Sequence, residues 1–347
     1  MSIQTDLTDP TSFNYPVLIG DIGGTNARFA LVVDSHAAPR HFDPVRTADF
    51  ENIGEAIDAG VLNKTSLMPR TAILAVAGPV DGDEIDLTNA HWVIKPRQLA
   101  REFGLEEVII LNDFEAQAMA LSALKDDDIE TLTDNEPDPL GPKVILGPGT
   151  GLGVAALVNA KGVWLPIPGE GGHIDLAPVS ERDKEYWPYL ETIEGRMSAE
   201  QVVCGAGLMN LYQALCKASG VPPKFSEPSQ ISDAAIKEVD ELADETLDLF
   251  SEHLGRVAGN LALIFIATGG VYLTGGISQK IIEVLRNGRL MAAFRDKAPH
   301  SAMLADLPVS VVMHPLAPML GLAAYAHAPS RFGMKTAHRR WLDTDEA

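Results

Sequence analysis

The sequence predicts an α/β protein of two domains, and three observations favour that organisation. The chain has 347 residues, which at about 150 residues per domain corresponds to roughly two domains. Short apolar runs typical of strands alternate with segments whose apolar residues recur at helical spacing. An acidic, turn-rich stretch at 126–142 separates an N-terminal part from a larger C-terminal part.

The elements follow one another in a regular order. The predicted strands are 17–20, 29–33, 72–76, 108–111, 144–146, 154–158, 271–274 and 309–313. The predicted helices are 96–103, 114–124, 207–218, 278–287 and 318–326. A further helix with an acidic outer face is predicted over 233–254, with Ser232 as its N-cap. The segment 181–191 is expected to form a helix that returns the chain toward Glu200.

The charge excludes several classes of partner. With 27 Lys and Arg against 48 Asp and Glu, the net charge is −21. Nucleic acids and anionic membranes need a positive face, so they are not expected as partners. The segments 126–138 and 233–252 contain fifteen carboxylates and one lysine, a net charge of −14, and we interpret them as a solvated loop and a solvated helix face. The total charge is therefore no argument against binding of a nucleotide phosphate.

The cysteine content, the terminal segments and the longest apolar stretch indicate in which compartment the protein is expected. Cys204 and Cys216 are too few for a disulfide framework or a four-cysteine zinc site. Residues 1–15 are polar and lack the pattern of a signal peptide, so we expect a disordered lead-in, and residues 331–347 resemble a tail. The most apolar stretch, 261–267, is far shorter than the roughly 20 residues that span a bilayer. A cytoplasmic protein is expected.

A glycine turn lies between the first two predicted strands. Asp21 precedes it, and Gly23, Gly24 and Thr25 form it. Backbone N–H groups in such a turn can approach an anion, and the Thr25 hydroxyl can donate to it. Asp21 suits a magnesium-bound water better than a phosphate. The alternative is an ordinary hairpin without a ligand.

Two further glycine turns end later strands. The first contains Gly149, Thr150 and Gly151, and the second contains Gly275 and Gly276. The first matches neither a P-loop nor a Rossmann fingerprint, and the second has a purely structural interpretation as a turn from a strand into a helix. Three such turns in one α/β chain nevertheless indicate a nucleotide held between two halves of the protein.

Polar side chains follow other strands. Asn112 and Asp113 stand between a strand and a helix, where Asp113 is either an N-cap or a base aimed at a ligand. Glu170 and His173 flank a glycine pair, an arrangement that indicates recognition of a polar ligand. Glu200 alone is interpreted as an ordinary acidic residue in the first turn of a helix.

The order of these motifs carries a resemblance. From about residue 17 to about residue 327, the chain resembles the bacterial ATP-dependent glucokinases through DIGGTNAR, LNDFEA, GPGTGLG, PGEGGHIDLAP, SAE and VYLTGGI. No cysteine cluster follows His173, so the resemblance is to the branch without the zinc motif. It implies a ribonuclease-H-like, actin-like ATPase fold with an interdomain cleft. The implied small domain is 16–112 plus about 313–330, and the implied large domain is 113–312.

The resemblance also implies roles for single residues. Asp113 takes the place of the catalytic base, which acts on the 6-hydroxyl of glucose. The glucose ligands fall on Asn112, Asp113, Glu170, His173 and Glu200. The segment 88–92 is a looser match to a family segment near the sugar, which makes Asn89 a weaker candidate. The ATP-binding motifs fall on Asp21, Gly23, Gly24, Thr25, Gly149, Thr150, Gly151, Gly275 and Gly276. Mg²⁺ is expected near Asp21 through water, and a homodimer is expected.

Alternative functions remain open at this point. A sugar-responsive regulator would need a DNA-binding module, and no basic helix–turn–helix pattern is present. A nucleotide-dependent dehydrogenase does not fit the glycine spacing. A non-catalytic sugar-binding protein, a kinase for mannose or glucosamine, and an enzyme that uses polyphosphate or ADP as donor are the other candidates.

Overall fold

The computed structural model describes residues 10–88 and 90–342. Its strands are β1 (Val17–Ile22), β2 (Asn26–Val32), β3 (Arg40–His41), β4 (Val45–Arg46), β5 (Thr71–Val76), β6 (Ile85–Asp86), β7 (Val93–Ile94), β8 (Glu107–Asn112), β9 (Ile129–Thr131), β10 (Lys143–Pro148), β11 (Leu152–Ala160), β12 (Val163–Gly169), β13 (Val271–Leu273), β14 (Val309–Val312) and β15 (Arg340–Leu342). Its helices are α1 (Ile53–Gly60), α2 (Pro96–Phe103), α3 (Asp113–Ala120), α4 (Glu181–Tyr186), α5 (Gly205–Ser219), α6 (Pro228–Ile236), α7 (Glu241–Phe265), α8 (Gly275–Lys280), α9 (Ile282–Leu285), α10 (Arg289–Arg295), α11 (Ser301–Ala305) and α12 (Ala317–His327).

The chain divides into two compact units. Unit 1 contains the described residues up to Leu124, the segment Leu157–Pro168 and the described residues from His314 onward, whereas unit 2 contains Lys125–Ala156 and Gly169–Met313. This division differs from the expected domain boundary at residue 113, because α3 packs on α12. A Cβ on Gly321 of α12 would overlap the carbonyl oxygen of Ala116 in α3, so only glycine permits this close approach.

Unit 1 contains a seven-stranded mixed sheet. Its strand order is β15-β8-β5-β1-β2-β3, with β4 also paired to β2. The three central strands β1, β5 and β8 are parallel, and Ile22, Val76 and Asn112 lie in one row across them. The inward side chains of these strands, including Leu18, Leu74 and Ile110, are buried in one apolar core. The sheet therefore brings the ends of β1 and β8 to the same edge.

The structure corrects the expectation for both terminal segments where it describes them. Phe13 is buried against Tyr325, with ring centroids 5.2 Å apart in an edge-to-face arrangement, so the end of the lead-in packs on unit 1. At the C-terminal side, β15 pairs antiparallel with β8, and Trp341 is only 3% exposed. The segment up to Leu342 is therefore an edge strand of the sheet.

The second sheet has six strands in the order β12-β11-β10-β13-β14-β9. Strands β10, β13 and β14 are parallel, with Leu146 of β10 opposite Leu273 of β13. The carboxyl ends of β10 and β13 therefore meet at one edge of the sheet. The segment 126–142, expected as a loop, contains the short strand β9, which pairs antiparallel with β14.

The predicted boundaries of the acidic helix, 233–254, are wrong. The structure has two helices there, and Ser232 lies inside α6, where its hydroxyl donates to the carbonyl of Ser229 (3.0 Å). Glu238 adopts a φ of 53°, which ends the first helix. Asp240 then serves as N-cap of α7 by accepting from the N–H of Ala243 (3.0 Å). In the described part of the chain, no helix combines the length and apolar character needed to cross a membrane.

Candidate functional site

The first glycine turn joins β1 to β2 and is held by its own backbone and by Thr47. The N–H of Gly23 donates to the carbonyl of Asn26 (3.0 Å), and the buried Thr47 hydroxyl donates to the carbonyl of Gly23 (3.1 Å). Within residues 10–88 and 90–342, the N–H groups of Gly24 and Thr25 have no hydrogen-bond acceptor. These two amides are therefore available to an anion.

Asp21 lies on β1 just before this turn. It is opposite Arg28 of β2, whose Nη1 is 3.4 Å from Oδ2 of Asp21. Burial raises the pKa of the Asp21 carboxyl, and the nearby guanidinium partly opposes that rise. Because Arg28 contacts only Oδ2 of this largely buried carboxylate, lone pairs are left for water or a metal-bound water.

Asn112 and Asp113 form the junction between β8 and α3. Oδ1 of Asn112 accepts from the N–H of Phe114 (2.9 Å), and its Nδ2 donates to the carbonyl of Gly78 (3.3 Å). The N-cap of α3 is therefore Asn112 and not Asp113, which is the first residue of the helix and is half-buried. Oδ1 of Asp113 also lies 3.0 Å from the N–H of Phe114, which orients the carboxylate at this edge of the sheet.

The sheet of unit 1 relates these two features directly. The first glycine turn follows β1, Asn112 ends β8, and both strands end in the same row. Since neighbouring strands are about 4.8 Å apart, two strand spacings separate the turn from Asn112 by about 10 Å. The open amides of the turn and the Asp113 carboxylate thus share one edge of one sheet, which is where ligands of open α/β sheets bind.

The second glycine turn lies in unit 2 and is linked to Glu200. The N–H of Leu152 donates to Oε2 of Glu200 (2.7 Å), and the N–H of Gly205 donates to the carbonyl of Gly149 (2.9 Å). A Cβ added to Gly151 would lie 2.5 Å from Oε2 of Glu200. Glycine at position 151 thus permits the carboxylate to approach the turn.

The third glycine turn packs against the second. Gly275 begins α8 with a φ of 88°, and a Cβ there would lie 2.8 Å from the carbonyl oxygen of Pro148. The N–H of Thr274 donates to the carbonyl of Leu146 (2.9 Å), which continues the pairing of β13 with β10. Gly276 has open space around its Cα. The second and third turns therefore form one glycine-lined edge in unit 2.

Glu170 and His173 lie on a short turn that the structure brings beside the segment before Glu200. Nε2 of His173 is 3.9 Å from Oε2 of Glu170, and both side chains are exposed. The N–H of Ala199 donates to the carbonyl of Ile174 (2.9 Å), so the chain returns by direct pairing of these segments. Between them, α4 ends at Tyr186, five residues short of the helix expected for this connection.

The structure adds functional residues that sequence reasoning missed. Thr47 supports the first turn, and Glu115 lies behind Asn112, accepting from its N–H (2.9 Å). The spacing of Asn112 and Glu115 is that of a capping box, which was the available signal. Arg339, which binds Glu115, had no local signal. Asn89 lies outside the described residues.

Each unit provides its own set of polar groups. Unit 1 provides two open amides, Asp21 and Asp113, whereas unit 2 provides two glycine turns and the side chains of Glu170, His173 and Glu200. Open amides favour phosphate, and carboxylates accept hydrogen bonds from several hydroxyls. Among the described residues, no group of three or more His, Cys, Asp or Glu could hold a metal ion by protein ligands alone.

Comparisons with known proteins agree with this chemistry. The glucokinase family model matches residues 18–329. The chain is 56% identical to a glucokinase of Chelativorans sp. (strain BNC1) over 328 residues, which cover 94% of this chain and 96% of that one. It is 54% identical to a glucokinase of Agrobacterium fabrum (strain C58 / ATCC 33970) over 334 residues, with coverage of 96% and 98%.

A solved structure extends the comparison to the fold. The crystal structure of a glucokinase from an Antarctic psychrotroph superposes with a TM-score of 0.81 and 32% identity. The match covers 90% of this chain and 99% of that one. The expected two-domain, actin-like ATPase type of fold is thereby confirmed.

Proposed function

The chain belongs to the glucokinase family, and we propose that it transfers the γ-phosphoryl group of ATP to the 6-hydroxyl of D-glucose. The products are ADP and D-glucose 6-phosphate, so the reaction is the first step of intracellular glucose use. The observation that carries this proposal is the shared sheet edge of unit 1, where open amides and the Asp113 carboxylate lie two strands apart. Such an edge suits a phosphate beside a hydroxyl nucleophile.

We propose Asp113 as the general base. Phosphoryl transfer has a loose transition state, so the enzyme contributes mainly position and charge compensation. The carboxylate would orient the 6-hydroxyl and accept its proton as the new oxygen–phosphorus bond forms. Its place at the first turn of α3, next to the Asn112 cap, supports this role because both residues are fixed by backbone hydrogen bonds.

We propose that the remaining polar residues bind the other glucose hydroxyls. They are Asn112, Glu170, His173 and Glu200, with Asn89 as a weaker candidate. A carboxylate accepts short, directional hydrogen bonds from sugar hydroxyls, and an amide or imidazole can both donate and accept. The pairing of the segment after His173 with the one before Glu200 supports a common role for these two residues.

We assign ATP to the glycine turns. The open amides of Gly24 and Thr25, next to Gly23, would hold phosphate, as would the turn of Gly149, Thr150 and Gly151 through amides that do not already donate within the turn. The turn of Gly275 and Gly276 would lie near the nucleoside. The close packing of Gly275 against the start of the second turn supports the assignment, because a Cβ there would strike the carbonyl oxygen of Pro148, whereas Gly276 has open space.

Mg²⁺ fits the residues present as an ion that enters with the nucleotide. Magnesium keeps several waters and needs only one or two carboxylates besides the phosphates, which matches a single Asp21 near the first turn. When bound, it would neutralise charge on the transferring phosphoryl group. Asp21 would hold one of its waters, and Arg28 would keep that carboxylate oriented.

The family resemblance also leads us to propose a homodimer in the cytoplasm, where ATP is supplied. Sedimentation velocity of the purified protein tests the dimer directly, since a monomer would sediment as a particle of half the mass.

A coupled assay for ADP release tests the proposed reaction. With ATP, we expect glucose to give a much higher kcat/KM than mannose or glucosamine. Activity with another hexose alone would change the assigned substrate. If glucose binds without ADP release, the chain is a non-catalytic sugar-binding protein. Polyphosphate and ADP in place of ATP complete the panel, and preference for either would change the assigned donor.

A further inference from the structure

The C-terminal strand contacts the element that carries the proposed base. Strand β15 lies beyond the residues matched by the family model, which end at 329. It pairs with β8, with Arg340 opposite Ile109, and the carbonyl of Arg339 accepts from the N–H of Ile110 (3.0 Å). Arg339 thus lies at the end of β15 that is nearer to Asn112.

Arg339 binds a buried carboxylate. Its Nη1 is 2.9 Å from each carboxylate oxygen of Glu115, whose side chain is 2% exposed. Burial raises the pKa of Glu115, and the Arg339 charge together with the Asn112 N–H opposes that rise. Without the guanidinium, the buried carboxylate would lose its opposite charge.

The Glu115 carboxylate also contacts the junction between β8 and α3, which is formed by Asn112 and Asp113 and is called the catalytic junction below. Oε2 of Glu115 accepts from the N–H of Asn112 (2.9 Å), the residue that caps α3 and directly precedes Asp113. We propose that Arg339 is a positioning residue for phosphoryl transfer, because through Glu115 it fixes the backbone that carries Asn112 and Asp113. This inference rests on the proposed role of Asp113 as the base.

The next residue of β15 provides a matched control. Arg340 pairs with Glu107, at the opposite end of β8 from Asn112. The two arginine side chains are similarly exposed, at 18% for Arg339 and 13% for Arg340, and the Glu107 side chain is 9% exposed. Loss of either guanidinium therefore removes a comparable buried ion pair. The carboxylate bound by Arg339 also accepts from the Asn112 N–H, whereas the one bound by Arg340 lies at the other end of β8.

The experiment compares kcat and KM of Arg339→Gln and Arg340→Gln well below their melting temperatures. We expect kcat of Arg339→Gln to fall about tenfold, with KM for ATP unchanged, because displacement of the base affects the reaction step. Arg340→Gln should stay within about twofold of the wild type in kcat although its melting temperature also falls.

A second substitution separates positioning from stability. Adding Glu115→Gln to Arg339→Gln should restore most of the lost kcat, because glutamine still accepts from the Asn112 N–H and carries no unpaired charge. If Arg339→Gln does not fold, Arg339→Lys replaces it, with a smaller expected loss of kcat. Equal losses of kcat in the Arg339 and Arg340 variants, or no loss in either, would overturn the inference.

Hydrogen exchange distinguishes this inference from the proposed function. The Asn112 amide should exchange faster in Arg339→Gln than in Arg340→Gln, whatever reaction the wild type catalyses. Equal exchange at Asn112 in both variants would overturn the inference. A wild type without glucose-dependent ADP release would instead refute the proposed function alone.

Discussion

The first and second glycine turns have similar composition but different supports. The turn in unit 1 is held by Thr47 and its own backbone, and the amides of Gly24 and Thr25 have no acceptor among the described residues. The turn in unit 2 is joined to Glu200 through Leu152. The first turn thus offers two open amides, whereas the second contacts a carboxylate of the proposed glucose site. The difference predicts that perturbing the contact between the second turn and Glu200 affects both substrates, whereas perturbing the first turn affects ATP alone.

Among substitutions in the two turns, the largest effect is expected for Gly151→Ala. The added methyl would lie 2.5 Å from Oε2 of Glu200, so the carboxylate must move. Displacement of a binding group costs up to about 100-fold in kcat/KM, and we expect a loss of that order for glucose. Steady-state kinetics and calorimetric titration with glucose measure it.

Gly149→Ala is the matched control for this substitution. At position 149 the nearest atom to an added Cβ is the carbonyl oxygen of Gly151 at 3.9 Å, an ordinary contact. This variant should weaken ATP binding while it retains glucose affinity. If Gly151→Ala binds glucose as tightly as Gly149→Ala does, the link between the turn and Glu200 has no functional role.

Glu200→Gln tests the link from the sugar side. Glutamine keeps an oxygen for the Leu152 N–H but loses the charge, and hydrogen bonds to charged groups contribute about 1.5–3 kcal/mol. We expect glucose affinity to fall about tenfold and KM for ATP to rise about threefold. An unchanged KM for ATP would show that the second turn does not depend on Glu200.

The pH dependence of the free energy of unfolding tests a buried hydrogen-bonded cluster in unit 2. The hydroxyl of Tyr186 donates to Asp183 (2.8 Å) and lies 2.7 Å from Nε2 of His253, while Arg256 binds Asp183 (2.7 Å). Burial, with the Arg256 charge, lowers the pKa of His253 from 6.5 to about 3. Because the pKa of His253 is lower in the folded protein than in the unfolded chain, its contribution to the free energy of unfolding is highest above pH 6.5. This contribution decreases as the pH falls from 6.5 toward 3, since only the unfolded chain takes up a proton at His253.

The expected loss from His253 is about 1 kcal/mol between pH 6.5 and 5.5, where one pH unit corresponds to at most about 1.4 kcal/mol. Urea unfolding at these two pH values measures it. His253→Gln should reduce the dependence by that amount. The pKa of Asp183 is also lowered, but its contribution is lost only at more acidic pH. An equally steep dependence in the variant would contradict a neutral, buried His253.

The smallest effect is expected for Thr47→Val in the first turn. Valine keeps the shape of the buried side chain and removes the O–H that donates to Gly23. A hydrogen bond contributes about 1 kcal/mol, so we expect KM for ATP to rise at most about fivefold. Glucose affinity should not change. A parallel loss for glucose would remove the distinction between the two turns.

Local sequence patterns predicted the elements that carry the turns and the order of the site residues. They did not predict β15, because a three-residue strand such as Arg340–Leu342 forms through pairing with β8 and has no local periodicity of its own. The boundary between α6 and α7 was missed because Glu238 adopts a left-handed backbone conformation, which is uncommon for glutamate and so is not expected from the sequence.

The supports of the site were equally hidden from the sequence. Glu200 was recognisable only through the motif order, because its contact with Leu152 joins positions 48 residues apart. The ion pair of Arg339 with Glu115 joins positions 224 residues apart. Such contacts depend on how strands are ordered in a sheet, which spacing along the chain does not reveal.

The central claim is that Asp113 acts as the base in glucose phosphorylation. The most direct test measures ADP release and glucose binding for the wild type and Asp113→Asn. If Asp113 is the base, the wild type phosphorylates glucose, and the variant still binds glucose while its turnover falls by about 100-fold or more. Near-normal turnover of Asp113→Asn with glucose and ATP would contradict it.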